Sequence, residues 1–277
     1  MYISSVIPMD LKLHSGHYSS TRLIPNQKGN TLSSLLELTY YIMRGNTFYP
    51  YPCAGVSIAT LLFERSPGSL LSRDSQGNDY VLKPGDFILK CTNSGIVYDE
   101  TLFDSSLNIE GIQLLFRTST SKHRSPPETY FIPKNLNKII RKGSNKMKII
   151  IDEESKKNLP DPLPLEILEL HLYQDERFQI IPEASYVLFQ IEGHLTLENG
   201  SNLQKISGPQ SVIIHSNEKN NLNVKIEKYS HCILIKISKN HEMCARNNSI
   251  CMPTEAELTN TITRYINGEM GFLSNIR

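Results

Sequence analysis

The 277-residue chain has almost no net charge, no long apolar run and no C-x-x-C pair. Lys plus Arg number 29 against 28 Asp plus Glu, a formal charge of +1. No global field therefore draws it to nucleic acid or to an anionic membrane, and neither is expected as a direct partner. The absence of any stretch of about 18 apolar residues excludes a helical membrane span. The five cysteines, Cys53, Cys91, Cys232, Cys244 and Cys251, are odd in number and widely spaced. Without zinc-type or redox-type spacing, reduced thiols in a cytoplasmic protein are expected. Pro8, Asp10 and Lys12 interrupt the only apolar stretch near the N-terminus, so no signal peptide is expected. A Gly-rich phosphate loop and a Ser-His-Asp order are also missing, and no catalytic residue is assigned. Among the eight histidines only His14 and His17 are closely spaced, and they are read as surface residues.

What is present is short apolar runs bounded by Gly, Pro, Asn and Ser, the pattern of strands joined by turns. The runs are Leu35 to Met43, Val56 to Phe63, Phe87 to Cys91, Ile109 to Phe116, Lys148 to Ile151, Leu165 to Tyr173, Tyr186 to Ile191, Val212 to His215, Leu222 to Ile226 and His231 to Ile237. Period-two alternation is clearest in the second half. There Leu168, Leu170 and Leu172 alternate with Glu169, His171 and Tyr173, and Leu222, Val224 and Ile226 with Asn223, Lys225 and Glu227. Many such strands predict an all-β sandwich or barrel, whose closure also removes exposed edges.

Between the strand-rich halves, Lys134 to Pro164 carries a basic cluster, then acidic Asp152 to Glu154, then prolines. Without interleaved aromatics it reads as a solvated connection and not as a nucleic-acid patch. The expected organisation is a first domain over 1–135, a linker over 136–163 and a second domain over 164–277. One segment reads as helical: Thr254 and Glu257 form a capping box, Leu258, Ile262 and Ile266 recur at a spacing of four, and Gly268 supplies a stop. Its apolar stripe is expected to dock on the second barrel.

The segment Phe48-Tyr-Pro-Tyr-Pro-Cys-Ala-Gly55 resembles the pirin motif in which an aromatic residue precedes His-Pro-His-x-Gly. Asp74-Ser-Gln-Gly77, Lys83-Pro-Gly-Asp86, Gly95-Ile-Val-Tyr-Asp-Glu100 and Gly111-Ile-Gln-Leu-Leu115 follow the same family's pattern in order and at similar spacing. Cys251 to Gly268 resembles the family's terminal strand and helix, and Pro182 to Gly193 the opening of its second barrel. The resemblance implies two cupin-type barrels, of the double-stranded β-helix or jelly-roll kind, with a C-terminal α-helix. Lys83-Pro84-Gly85-Asp86 is by composition a type II turn. Tyr98 and Glu100 share a strand face because they are two apart, as do Tyr51 and Cys53.

In pirins an iron-type ion sits on three histidines and a glutamate, and the corresponding positions here are Tyr51, Cys53, Tyr98 and Glu100. Imidazole donates a lone pair without adding charge, whereas a phenol and a thiol must each lose a proton, which burial opposes. Two phenolates, a thiolate and a carboxylate around a divalent ion would leave about −2 in a low-dielectric barrel, several kcal/mol unfavourable. No metal cofactor is therefore expected, and iron only if the site persists in altered form. Glu100 is expected to face a pocket unless Arg22, Arg73 or Lys90 pairs with it.

Two functions follow from the resemblance. One is a non-catalytic protein that binds a small aromatic ligand or a regulatory protein partner, as pirins that act as cofactors of transcriptional regulators do. The other is a metal-dependent dioxygenase of the quercetin 2,3-dioxygenase type with an altered centre.

Overall fold

The computed structural model describes the chain except residues 25–31, 33, 46–48, 160–162, 201, 239–243 and 275–277. Phe48, which opens the aromatic motif, and His241 lie outside the described residues. The chain divides into two compact units. One takes the described residues of Met1–Asp10, Asn26–Ser34 and Asn137–Asn240, the other those of Leu11–Pro25, Leu35–Leu136 and His241–Arg277. Among the described residues the fold is all-β apart from one α-helix, Glu255–Ile266, and three short 3-10 turns.

The unit built mainly from the first half carries, among the described residues, two larger sheets and the two-stranded pair Ala245–Asn247 and Ile250–Met252. Seven strands run in the order Glu128–Ile132, Phe87–Cys91, Val56–Leu62, Ile109–Arg117, Leu35–Met43, Tyr18–Leu23 and Lys12–Ser15. Four run in the order Tyr51–Cys53, Ile96–Leu102, Leu70–Asp74 and Asp79–Leu82. Leu62, Leu70, Leu82, Ile88 and Ile109 from both sheets share one buried cluster. Every residue of Val56–Leu62 is buried, as a strand in the middle of a sheet packed on both faces must be.

The turn and glycine motifs singled out in the sequence have local physical reasons. At Lys83-Pro84-Gly85-Asp86 the Asp86 N–H donates to Lys83 O at 2.9 Å and Gly85 has φ +93°, the type II turn read from composition. Asp86 Oδ2 accepts from Lys83 N and Oδ1 from Lys134 N, both at 2.8 Å. Gly55 has φ +65°, and a Cβ there would lie 1.9 Å from Cys251 O, so only glycine fits. Asp74 caps its own turn by accepting from Gln76 N at 3.1 Å. It also receives Lys90 Nζ at 2.7 Å, both side chains being only 1% exposed. Burial alone would raise the Asp74 carboxyl, but Lys90 and hydrogen bonds from Asn78 hold it below the usual range.

The other unit is one ten-stranded sheet. Its main path runs Tyr2–Ile3, Gln210–His215, Ala184–Asn199, Asn220–Ser238, Leu165–Leu172, Asn145–Ile151 and Lys138–Lys142. The core holds Leu170, Leu172, Leu188, Leu195, Leu222, Val224, Cys232 and Leu234. The leucines of the alternating runs therefore point inward, as their period predicts.

Two expectations are corrected here. Residues 136–163 are not a solvated connection throughout: Lys138–Lys142 and Asn145–Ile151 form a hairpin at the sheet edge, turning at Gly143 with φ +58°. Lys148, read as part of a solvated basic cluster, is buried. In addition, the terminal helix belongs to the unit of the first barrel. Leu258 and Ile262 pack with Ala54, Val97, Ile250, Met252 and Met270. Arg264 Nη1 donates to Ser94 O at 3.0 Å, and Ile266 stays exposed. An amphipathic stripe fixes which face is buried but not against which partner. The cap itself is as read, with Glu257 N donating to Thr254 Oγ1 at 3.2 Å.

Candidate functional site

Tyr51–Cys53 pairs antiparallel with Ile96–Leu102, in the register Tyr51 opposite Tyr98 and Cys53 opposite Ile96. Ile96–Leu102 pairs on its other side with Leu70–Asp74, placing Glu100 opposite Ser72. Alternation turns Tyr98 and Glu100 to the same face. Tyr51, Cys53, Tyr98 and Glu100 all line one cavity of about 580 Å³, together with Tyr18, Tyr41, Gln113 and Leu115. No histidine lines it among the described residues, so none of them offers Cys53 an imidazole base there.

Three of the four side chains singled out, Tyr51, Cys53 and Tyr98, are held neutral by burial. The Tyr51 and Tyr98 hydroxyls hydrogen-bond to each other, their ring centroids 4.7 Å apart and tilted by 58°. Burial pushes both phenols well above their ordinary value. Burial likewise pushes the Cys53 thiol up to about 12. Glu100 accepts from Thr60 Oγ1 and Gln113 Nε2, each at 2.9 Å, and from Ser72 Oγ at 3.5 Å. Burial raises its carboxyl against these hydrogen bonds and the Lys90 charge. Its three candidate cations are engaged elsewhere: Arg22 with Glu37 at 3.5 Å, Arg73 with Asp99 at 2.5 Å, and Lys90 with Asp74.

No protein-family model matches the sequence, and no curated protein is significantly similar to it. Solved structures do match over most of the chain. A quercetin 2,3-dioxygenase from Acinetobacter baumannii superposes with a TM-score of 0.84 at 17% identity, covering 98% of this chain and 99% of that one. GK1651 from Geobacillus kaustophilus gives 0.75 at 18%, covering 87% and 98%. The bacterial pirin YhhW from Escherichia coli, in complex with nickel(II), gives 0.67 at 15%, covering 86% and 100%. The chain has the pirin-type bicupin fold.

At Tyr51, Cys53, Tyr98 and Glu100, the positions that the resemblance assigns to an iron-type ion, the side chains present do not suit a ferrous ion. All three ligand candidates other than Glu100 are held protonated by burial, and two of them are bonded to each other. Glu100 is occupied by three neutral donors. No step of a reaction is derived through a metal there.

The rim adds charge and one unusual thiol. Glu37 stands between Arg22 and Arg246, the latter at 3.8 Å. Cys244, partly exposed, and buried Cys251 pack in the same cluster as Cys53 and Tyr98. A hydrogen bond from Cys251, aided by the charges of Arg117 and Arg246, pulls the Cys244 thiol down to about 6 against partial burial. The same contact pushes Cys251 up. Native protein treated with iodoacetamide at neutral pH is therefore expected to be alkylated first at Cys244, at a rate that falls as the pH is lowered into the thiol's depressed range. Burial puts Cys53, Cys91 and Cys232 at about 12, so they should stay unmodified by mass spectrometry.

A second group of polar side chains lies in the other unit. Glu169, His171 and His231 bring their ligand atoms within 4.8 Å of one another, a set that could hold a metal ion. His171 and His231 are directly opposite in register on Leu165–Leu172 and Asn220–Ser238. Burial opposes ionisation of Glu169, but the hydrogen bond and charge of His231, with Lys148 and His171, hold its carboxyl below the usual range. Sequence spacing missed this group because its two histidines are sixty residues apart. The signal that was available is Glu169-x-His171, two polar residues on the face of an alternating strand opposite its core leucines.

Proposed function

We propose that the first-barrel cavity of this pirin-type fold binds a small aromatic ligand without metal-dependent chemistry. The chain then serves as a non-catalytic binding or regulatory protein of the cytoplasm, with a protein partner reading the occupied state. One observation carries the reading: the Tyr51 and Tyr98 hydroxyls bond to each other beside an open volume of about 580 Å³. Aromatic walls with a few convergent polar groups are what a small-molecule site requires, and Gln113 and Glu100 supply those groups at the inner wall. Glu100 can meet a ligand hydroxyl as an acceptor when ionised and as a donor when its raised carboxyl is protonated.

The second reading is a quercetin dioxygenase-type enzyme, favoured by the end-to-end match to the Acinetobacter structure. Quercetin itself separates the two. Calorimetry in the presence of a chelator is expected to show binding that is abolished by Leu115→Trp, which fills the cavity from its wall. Oxygen uptake should stay at the level of a no-protein control, with or without added Fe(II). Iron-dependent oxygen consumption with loss of the flavonol absorbance would replace the binding reading by the enzymatic one.

A further inference from the structure

We propose that Glu169, His171 and His231 form a largely buried binding site for a divalent ion of the zinc class on the face of the ten-stranded sheet opposite its leucine core. It lies in the unit that does not contain the aromatic cavity. Leu170, Leu172 and Cys232 point into that unit's core, so strand alternation turns Glu169, His171 and His231 to the opposite face. The triad is thus not the interior position at which the pirin ion sits.

The donor set and its spacing fit. The His231 Nε2 to Glu169 Oε1 distance is 3.0 Å and the His171 Nε2 to Glu169 Oε1 distance is 3.8 Å. A tetrahedral ion with bonds of about 2.0–2.1 Å requires ligand atoms about 3.3–3.4 Å from one another, which lies between these values. The two imidazole rings are stacked, with centroids 4.3 Å apart and planes 12° apart, so ligation asks them to tilt until their lone pairs converge. His171, the more exposed ring, is the one with room to do so. Its Nδ1 lies 3.0 Å from the Tyr229 hydroxyl oxygen. When Nδ1–H donates to that oxygen, the tautomer is the one with a lone pair on Nε2. Two imidazoles with one carboxylate favour a borderline transition ion over Mg²⁺ or Ca²⁺, and three protein ligands leave one tetrahedral position for water.

An independent observation points to a missing ligand. Glu169 is 1% exposed, and its Oε2 has no hydrogen-bond partner. Its nearest cation, Lys148 Nζ, stands at 3.7 Å, beyond hydrogen-bonding distance. A buried, unsatisfied carboxylate oxygen beside two imidazoles is what a cation would complete. Lys148 also sets a sign. Its positive charge opposes a second cation, so Lys148→Met should bind metal more tightly than the parent.

The test uses full-length protein stripped with a chelator and titrated with Co²⁺ by absorption and with Zn²⁺ by calorimetry. The expected result is about one equivalent per chain, with visible d–d bands typical of low-symmetry cobalt. Affinity should fall at least about tenfold in His171→Gln and in Glu169→Gln, rise in Lys148→Met, and stay unchanged in Glu100→Gln. His171 is partly exposed, so its variant is expected to fold. Zn²⁺ should raise the melting temperature of the parent but not that of His171→Gln, a readout that does not depend on the spectrum. Absence of binding to the parent would overturn the proposal. So would binding that survives both triad substitutions, or that is lost with Glu100→Gln.

Discussion

Restoring histidine at positions 51, 53 and 98 is expected to convert the first-barrel cavity into an iron site. After anaerobic loading and desalting, Tyr51→His/Cys53→His/Tyr98→His should hold about one more Fe(II) per chain than the parent, and that iron should be lost on adding Glu100→Ala. The reason is charge as much as geometry. Three neutral imidazoles with one carboxylate leave a divalent site at about +1, whereas two phenolates, a thiolate and a carboxylate leave it at about −2. The register already fixes the donors: position 51 faces 98 across the strand pair, and 98 shares a face with 100. Elemental analysis of the two proteins side by side, with circular dichroism to confirm folding, decides the matter. Equal iron in both would show that the native phenols and thiol are better ligands than their protonation implies. The contrast with the Glu169 triad is then direct, because there the imidazoles are already in place.

The largest stability effect is expected at Lys90. Its ammonium sits 2.7 Å from Asp74 Oδ2, with both side chains almost fully buried. Lys90→Met removes the cation and leaves an ionised carboxylate in the interior, supported only by neutral donors such as Asn78 and Thr129. Breaking a buried pair from one side costs about 3–5 kcal/mol. Chemical denaturation should therefore show a midpoint far below the parent's. Adding Asp74→Asn in the same chain removes the stranded charge and should recover most of the loss. If the double variant is no more stable than Lys90→Met, uncompensated charge is not the cause.

Much of this architecture was legible in the residues, and the reason is periodicity. Leu35–Met43 and Phe87–Cys91 begin and end where their apolar runs do. Leu222 to Ile226 and His231 to Ile237 proved to be parts of one long strand, Asn220–Ser238, because the polar residues between them continue the ladder. Edge strands such as Lys138–Lys142 were not legible. All five of its residues are exposed, so no apolar run marks them, and the hairpin is specified by Gly143 alone. The four cavity positions were found through motif order, which carries register information implicitly. Glu169, His171 and His231 were not, because only the pairing of Leu165–Leu172 with Asn220–Ser238 brings them together. The helix was placed at the right residues and on the wrong unit, since a stripe of Leu258 and Ile262 says nothing of what it covers.

The exchanged ends of the chain bear on how it is made. Tyr2–Ile3 and Ile7–Pro8 join a sheet whose remaining strands lie beyond residue 137, while Ile250, Met252, Leu258 and Met270 close a cluster begun by Ala54 and Val97. On a ribosome, the opening strand must wait for Gln210–His215 before it has a neighbour. The barrel whose strands emerge earliest stays unsealed until residue 270 has been synthesised. Splitting such a polypeptide near residue 136 yields two incomplete modules, each lacking a segment supplied by the other half.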